Sequence, residues 1–229
     1  MDLRRYSERQ QFHTGVIPTL LEEYLDSNSW NTMLEVGCGD GSLLATLKNL
    51  GLVDGKVVLA SDISVDRIQV VQESLGMSGI VGDACKLSVK SNAMDIVVTE
   101  QVIEHVVDDQ AMAHEMYRVL ADGGVAYIST VFKKWYGWYF YRCNGKWTLD
   151  PTHVREYTDD SQLVTKLENA GFQILENRRT LDGRPIMDSI LRRLKADRRV
   201  YQNSILNSLR AIRIPIPGYY IWELVCLKN

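Results

Sequence analysis

Three glycines at alternate positions, flanked by a short apolar run and an apolar-periodic segment, mark Met33–Leu44, MLEVGCGDGSLL. No other stretch constrains the chain so tightly, because it reads as a strand, a tight turn and a helix start. Glycine has no Cβ, reaches positive φ and lets another molecule approach the backbone. Gly37, Gly39 and Gly41 therefore leave a turn with almost no side-chain wall. The helix beginning near Gly41 or Ser42 turns its unpaired N–H groups and positive dipole end toward the same place, which favours a carboxylate or phosphate. A nucleotide-like ligand is expected.

Spacing narrows the choice. A dinucleotide fingerprint needs glycine at the first, third and sixth places, and the sixth place from Gly37 is Ser42. A phosphate loop is disfavoured because no Gly-Lys-Ser/Thr follows. The acidic-x-Gly-x-Gly-x-Gly pattern that begins at Glu35 resembles instead the first motif of the class I S-adenosylmethionine-dependent methyltransferases. Asp62 follows the apolar strand KVVLAS of 56–61, about twenty residues beyond the turn, where an acid can accept from both ribose hydroxyls. GIVGDA at 79–84 reads as a short third strand ending in Asp83, the family position beside the adenine amino group, although Gly-Asp is also a common turn.

After a fourth strand, MDIVVT at 94–99, TEQVIEHV stands where some branches carry an Asn/Asp-Pro-Pro-aromatic motif for amide or nucleobase amines. Its absence disfavours that substrate class. Glu104-His105, a helix over 108–120 ending RVLADGG, and the strand VAYISTV are similar to the small-molecule branch that includes ubiquinone and menaquinone biosynthesis methyltransferases. That resemblance implies cofactor contacts at Glu35, Gly37, Cys38, Gly39, Gly41, Asp62, Ile63, Asp83, Ala84, Glu100 and Gln101, with S-adenosyl-L-methionine as cofactor. Glu35 would act near the methionine end, and Glu100 or Gln101 would border the cofactor.

Strands and helices alternate from 32 to 130, so a parallel sheet covered on both faces is expected. A first helix is read over 16–25, a sixth strand in GFQILENR and a seventh in GYYIWELVCL at 218–227. The resemblance makes this a Rossmann-like doubly wound α/β fold, seven-stranded and mostly parallel, with an antiparallel last strand. It implies one domain over 1–229, with a core at about 30–130 and 157–180 plus the final strand. Insertions fall at about 131–156 and 181–217.

The chain of 229 residues, 45% apolar and 24% charged, suits one domain with a sizeable core. No apolar run approaches the roughly 20 residues of a membrane span, and the polar start MDLRRYSERQQFHTG lacks a signal-peptide core, so a cytoplasmic protein is expected. Cys38, Cys85, Cys143 and Cys226 form no Cys-x-x-Cys pair, which suggests free thiols rather than a zinc site.

Both insertions carry signals of their own. Trp135, Tyr136, Trp138, Tyr139, Phe140, Tyr141 and Trp147 follow strand five, where a methyl acceptor should sit. Trp135, Tyr136 and Tyr139 are candidate acceptor contacts, with the buried side of a packed helix as the alternative. Residues 178–213 hold ten Lys/Arg against three Asp. Helical stripes from Ile186 to Ile212 there suggest a basic amphipathic helix in 184–213 that meets a membrane surface or acidic partner, caps the substrate pocket, or is a solvated face. Nucleic acid is disfavoured, because one basic patch on an acidic chain falls short of the usual footprint.

Methyl transfer is an in-line displacement, so alignment does most of the work. A phenol or alcohol acceptor would gain from a base, and His153 and His105 are the candidates because imidazole titrates near neutrality. A metal is not expected, since Glu104 and His105 would point different ways on a helix. The expected function is methyl transfer to a small molecule such as a lipid, a quinone-like ring or a saccharide intermediate. The rivals are a non-catalytic module of the same fold and a nicotinamide-dependent oxidoreductase.

Overall fold

The structure is a computed structural model that describes residues 16–143, 145–185 and 213–229. Its first half alternates α1 (Thr19–Ser27), β1 (Thr32–Val36), α2 (Ser42–Asn49), β2 (Val57–Asp62), α3 (Val65–Leu75), β3 (Ser78–Val81), β4 (Met94–Glu100) and α4 (Asp109–Val119). There follow β5 (Leu120–Lys133), β6 (Tyr141–Cys143), β7 (Lys146–Thr148), α5 (Ser161–Ala170), β8 (Phe172–Pro185) and β9 (Arg213–Lys228).

Seven strands form one sheet in the order β3-β2-β1-β4-β5-β9-β8. The last strand is antiparallel, as expected, and lies between β5 and β8, antiparallel to both. Successive strand side chains point to opposite faces, so a strand covered on both sides must be apolar at consecutive positions. TMLEV and MDIVVTE meet that demand. Leu34, Val36 and Val97 pack in one layer with Met112, Met116 and Val119 of α4 and Leu163 and Leu167 of α5. Met33, Ile96 and Val98 pack in the other with Leu21 and Leu25 of α1, Leu44 and Leu47 of α2, and Ile68 and Val71 of α3.

Local chemistry sets the helix ends. The Ser64 hydroxyl accepts from the Arg67 N–H to open α3, and Gly76, at φ 65°, closes it. The Asp108 carboxylate accepts from the Ala111 N–H to open α4. Such caps are worth about 1 kcal/mol each. Strand order reverses about β1, with β2 on one side and β4 on the other, which opens a crevice at the carboxyl ends of β1 and β4.

Three details differ from the sequence reading. β3 stops at Val81, so Asp83 lies in a turn, where its Oδ1 accepts from the Cys85 N–H at 2.8 Å; Asx-turn chemistry ends the strand. The aromatic insertion forms the β6–β7 hairpin and has no helix among its described residues. An Asn-Gly pair at 144–145 is the matching hairpin signal in the sequence. β8 and β9 stay paired out to Pro185 and Arg213, so the ends of the second insertion belong to a ribbon. The expected basic helix lies outside the described residues.

Candidate active site

The glycine turn is fastened to β2 and α3. The N–H groups of Gly37 and Cys38 donate to the Ser61 carbonyl at 2.7 and 3.0 Å. Asp62 is buried, and its Oδ2 accepts from the Gly39 N–H at 3.0 Å while Oδ1 accepts from the Ser64 N–H at 2.9 Å. The acid expected to hold a ribose is therefore also the anchor of the turn. A carboxylate has about four acceptor sites, so the two roles are compatible. Asp40 pairs with Arg67 at 2.5 Å, and the Arg67 side chain is 1% exposed.

Gly37, Gly39 and Gly41 have φ of 75°, 54° and 75°. A Cβ on Gly37 would fall 2.3 Å from Val102 Cγ2, and one on Gly41 would fall 2.9 Å from Val71 Cγ2 and Leu75 Cδ1. Internal packing alone thus requires two of the three glycines.

Beside the turn, carboxyl groups converge. Glu35 is buried, its Oε2 has no hydrogen-bond partner among the described residues, and burial, then Glu100 and Asp62, push its pKa well up. Burial and the neighbouring Glu223 raise Glu100 to about 7. Glu223 itself accepts from the Tyr127 hydroxyl at 2.8 Å. Next in sequence, Gln101 takes φ 54°, a strained value for a residue with a side chain, with its N–H donating to the Ser129 carbonyl at 2.8 Å. Crowded like charges with an orphaned oxygen suit a cationic ligand. S-adenosylmethionine, with a sulfonium and an ammonium, fits these residues.

The second cluster comes from the loop after β4 and the segment after the hairpin. The Val154 and Arg155 N–H groups donate to the Glu104 carbonyl at 2.9 and 3.2 Å, and the Arg155 guanidinium donates to the carbonyls of Ile103, Val106 and Val107. That clasp brings the His105 and His153 rings to 4.8 Å between centroids. His153 Nδ1 lies 3.1 Å from Glu156 Oε1, with its side chain only 5% exposed. Burial alone would raise Glu156, but hydrogen bonds from His153, the Leu149 N–H and the Thr148 hydroxyl, with the Lys133 charge, hold it at about 2. An ionised carboxylate only accepts, so the hydrogen bond at this distance is donated by His153 Nδ1–H.

Glu104 completes this cluster. It is fully buried, its Oε2 accepts from the Thr130 hydroxyl at 2.9 Å, and its Oε1 has no hydrogen-bond partner. Burial raises it to about 7 against the opposing pull of His153. Ligand atoms of Glu104, His105 and His153 lie within 4.8 Å of one another, close enough to hold a metal ion. Residues 103–105 form a turn rather than a helix, so the helical geometry invoked against a metal does not apply here.

Glu100 and Glu104 have a measurable consequence. A folded-state pKa of about 7 lies above the unfolded value of roughly 4.3, so the native state holds these protons more tightly. Their stabilisation is complete below about pH 4.3 and is lost as pH rises toward 7. Without cofactor, denaturant unfolding should show stability falling between pH 5 and 7 by about 2 kcal/mol per carboxyl relative to Glu100→Gln and Glu104→Gln. Parallel pH curves for wild type and variants would contradict this.

The remaining expected residues are more dispersed. Cys38 is buried and its thiol is pushed up, first by burial; Ala84 is half-buried; Ile63 is 46% exposed beside Asp62. Trp135 is 92% exposed and Tyr136 48%, whereas Tyr139 packs against Val131, Leu149, Ile216 and Tyr219. Glu156, Thr130, Tyr219 and Glu223 were not anticipated. His153 and Glu156 at a three-residue spacing were the available signal.

Comparison with known proteins bears on the fold and the glycine turn. A family profile described as a methyltransferase domain matches residues 34–128. The ubiquinone biosynthesis O-methyltransferase of Bartonella bacilliformis is 29% identical over 107 residues, 46% of this chain and 43% of the relative. The ubiquinone/menaquinone biosynthesis C-methyltransferase UbiE of Xylella fastidiosa is 25% identical over 170 residues, 63% of this chain and 67% of that protein. The chain therefore spans less than half of the first relative's length. Among solved structures, phosphoethanolamine N-methyltransferase 2 of Haemonchus contortus in complex with S-adenosyl-L-methionine superposes with a TM-score of 0.62 at 18% identity, covering 92% of this chain and 51% of that one. The matched residues run from β1 to β5 and include the glycine turn, so this part of the chain is similar to methyltransferase domains, and the seven-stranded sheet shares the fold of the solved methyltransferase.

Proposed function

We propose that the chain transfers the methyl group of S-adenosylmethionine to a hydroxyl of a small molecule, a quinone-like phenol first and a lipid or saccharide alcohol next. The observation that carries this reading is the pairing of His153 Nδ1 with a Glu156 held ionised, in a segment clasped to the loop that leaves β4. An amine or carboxylate acceptor would need no such base, whereas a hydroxyl gains typically 100-fold to 10,000-fold. The Bartonella relative's name, an O-methyltransferase, supports the same choice.

Bound in the crevice, S-adenosylmethionine would supply an activated methyl on a positively charged sulfur. Glu35 and Glu100 lie where they can balance that charge, Asp62 can accept from ribose hydroxyls, and Gly37 to Gly41 give the backbone access. Asp83, in its exposed turn, is kept for the adenine side, together with Ile63 and Ala84. His153 Nε2 takes the acceptor proton, and Glu156 stabilises the resulting imidazolium through Nδ1–H. His105, whose Nδ1 lies 3.2 Å from the Thr152 carbonyl, positions the His153 ring edge-on. Tyr139 offers a half-buried aromatic wall on the hairpin side, with Tyr136 and Trp135 farther out.

The test is incubation with methyl-labelled cofactor and panels of phenols, lipid alcohols and saccharides, with and without chelator. The expected product is a methyl ether, formed equally with chelator present. Label found only on amines, or turnover abolished by chelation, would contradict the base and assign the cluster of Glu104, His105 and His153 to a metal.

A further inference from the structure

The β6–β7 hairpin and the segment that leads into it from Trp135, together called the hairpin, place a dense set of rings in solvent. Trp135 is 92% exposed, Phe140 74%, Tyr141 50%, Tyr136 48%, Trp138 42% and Trp147 36%. Isolated exposed apolar side chains are ordinary, but a contiguous exposed set marks an interaction site. The rings form two groups, and only Tyr136 among them is tied to the sheet by its side chain, through a hydrogen bond with Tyr220 of β9. Trp138 meets Phe140 at 5.0 Å and Trp147 at 5.8 Å between centroids, and Trp135 meets Tyr136 at 5.5 Å.

Backbone contacts fix the base of this segment. The Lys134 N–H donates to the Gly218 carbonyl at 2.8 Å and the Trp138 N–H to the Pro217 carbonyl at 3.2 Å. Gly137 and Gly218 approach so closely that a Cβ on Gly218 would lie 2.6 Å from Gly137 Cα. Apart from Tyr136, whose hydroxyl pairs with Tyr220, the rings are therefore not needed to hold the segment against β9. Residues 131–149 contain no acidic residue and, besides Lys133, which is paired with Glu156 at 3.2 Å, carry Lys134, Arg142 and Lys146, while the chain as a whole has a net charge of −3. The Arg142 guanidinium stacks on Trp147, 4.7 Å from the ring centroid. The sequence continues the same sign through 184–213.

We propose that this hairpin is a lipid-surface anchor whose rings enter the headgroup boundary of an anionic bilayer. Tryptophan and tyrosine favour that boundary because each has an apolar body and a polar edge, and neighbouring Lys/Arg gain from anionic lipid. Charge selects the occupant: the hairpin is basic and acid-free, so a lipid surface complements it where a second copy of the same hairpin would repel it. Among the described residues no helix is long and apolar enough to cross a membrane, so attachment is to the surface. The anchor stands on these contacts alone and does not require methyl transfer.

The test is flotation of the full chain with phosphatidylglycerol-containing vesicles and with pure phosphatidylcholine vesicles, at about 0.05 M and 0.5 M salt. Binding is expected to the anionic vesicles, weaker at high salt, and reduced about tenfold or more by Trp135→Ala with Phe140→Ala. Leu50→Ala, at an exposed apolar position outside the hairpin, should leave it unchanged. Quenching of wild-type tryptophan emission by brominated lipid, diminished in Trp135→Phe, gives a second readout that does not depend on the double variant's folding. Wild type that fails to float at low salt, equal binding by the hairpin variant, or unquenched emission overturns the anchor. A variant that turns a dimer into a monomer while still binding vesicles does so too, and assigns the rings to a second copy.

Discussion

Gly37→Val should lose S-adenosylmethionine binding by at least about 100-fold and unfold several degrees earlier than wild type. Two independent costs meet at this residue. Its φ of 75° is one that a β-branched side chain resists, and a Cβ there would lie 2.3 Å from Val102 Cγ2. Left-handed strain is worth about 1–2 kcal/mol and overpacking about 1–3 kcal/mol. The backbone can escape only by moving the turn, which carries the Gly39 N–H and its Asp62 anchor with it. Gly55→Ala is the matched control: φ is 72°, and nothing lies within 4 Å of the added carbon. It should cost about 1 kcal/mol and leave cofactor affinity intact. Wild-type affinity in Gly37→Val would remove the turn from the binding site.

His153→Ala should lower turnover on the acceptor by about 100-fold to 10,000-fold while cofactor affinity stays unchanged. Glu156→Gln tests the origin of that effect. The carboxylate at about 2 is ionised throughout the working range, and it accepts from His153 Nδ1–H. Neutralising it should reduce the maximal rate while leaving cofactor affinity unchanged, because less stabilisation remains for the proton taken up in transfer. A merely structural His153 would lower stability without lowering the turnover of the folded enzyme. Unchanged turnover in His153→Ala would exclude it as the base.

The sequence made some of this legible because the relevant signals are local. Glycine spacing between a strand and a helix, and the continuous apolar runs of β1, β2 and β4, report short-range geometry. The two-layer core and the antiparallel β9 followed from the pattern and the resemblance. His105 and His153 were legible as candidate bases, but their meeting with Glu104 and Glu156 was not, because the four come together only when the segment after the hairpin folds back onto the loop after β4. Arg67 of α3 is buried against Asp40 of the glycine turn, a pairing across 27 residues that no local pattern reports. Asp62 was legible as an acid at a strand end, but its hold on the Gly39 N–H depends on how the turn curls over β2. The aromatic run could be counted in the sequence, but ring exposure depends on backbone bonds to β9 that no periodicity reports.

The most direct measurement is calorimetric titration of S-adenosylmethionine and S-adenosylhomocysteine into the wild-type chain, with Asp62→Ala and Gly39→Val alongside. Both ligands should bind the wild type at one site, and both variants should lose that binding. The affinity of the cationic methyl donor should rise with pH through about 7 as Glu100 ionises, more steeply than that of the uncharged thioether. No heat and no thermal shift with either ligand, or undiminished binding in both variants, would contradict the assignment of this crevice to the cofactor.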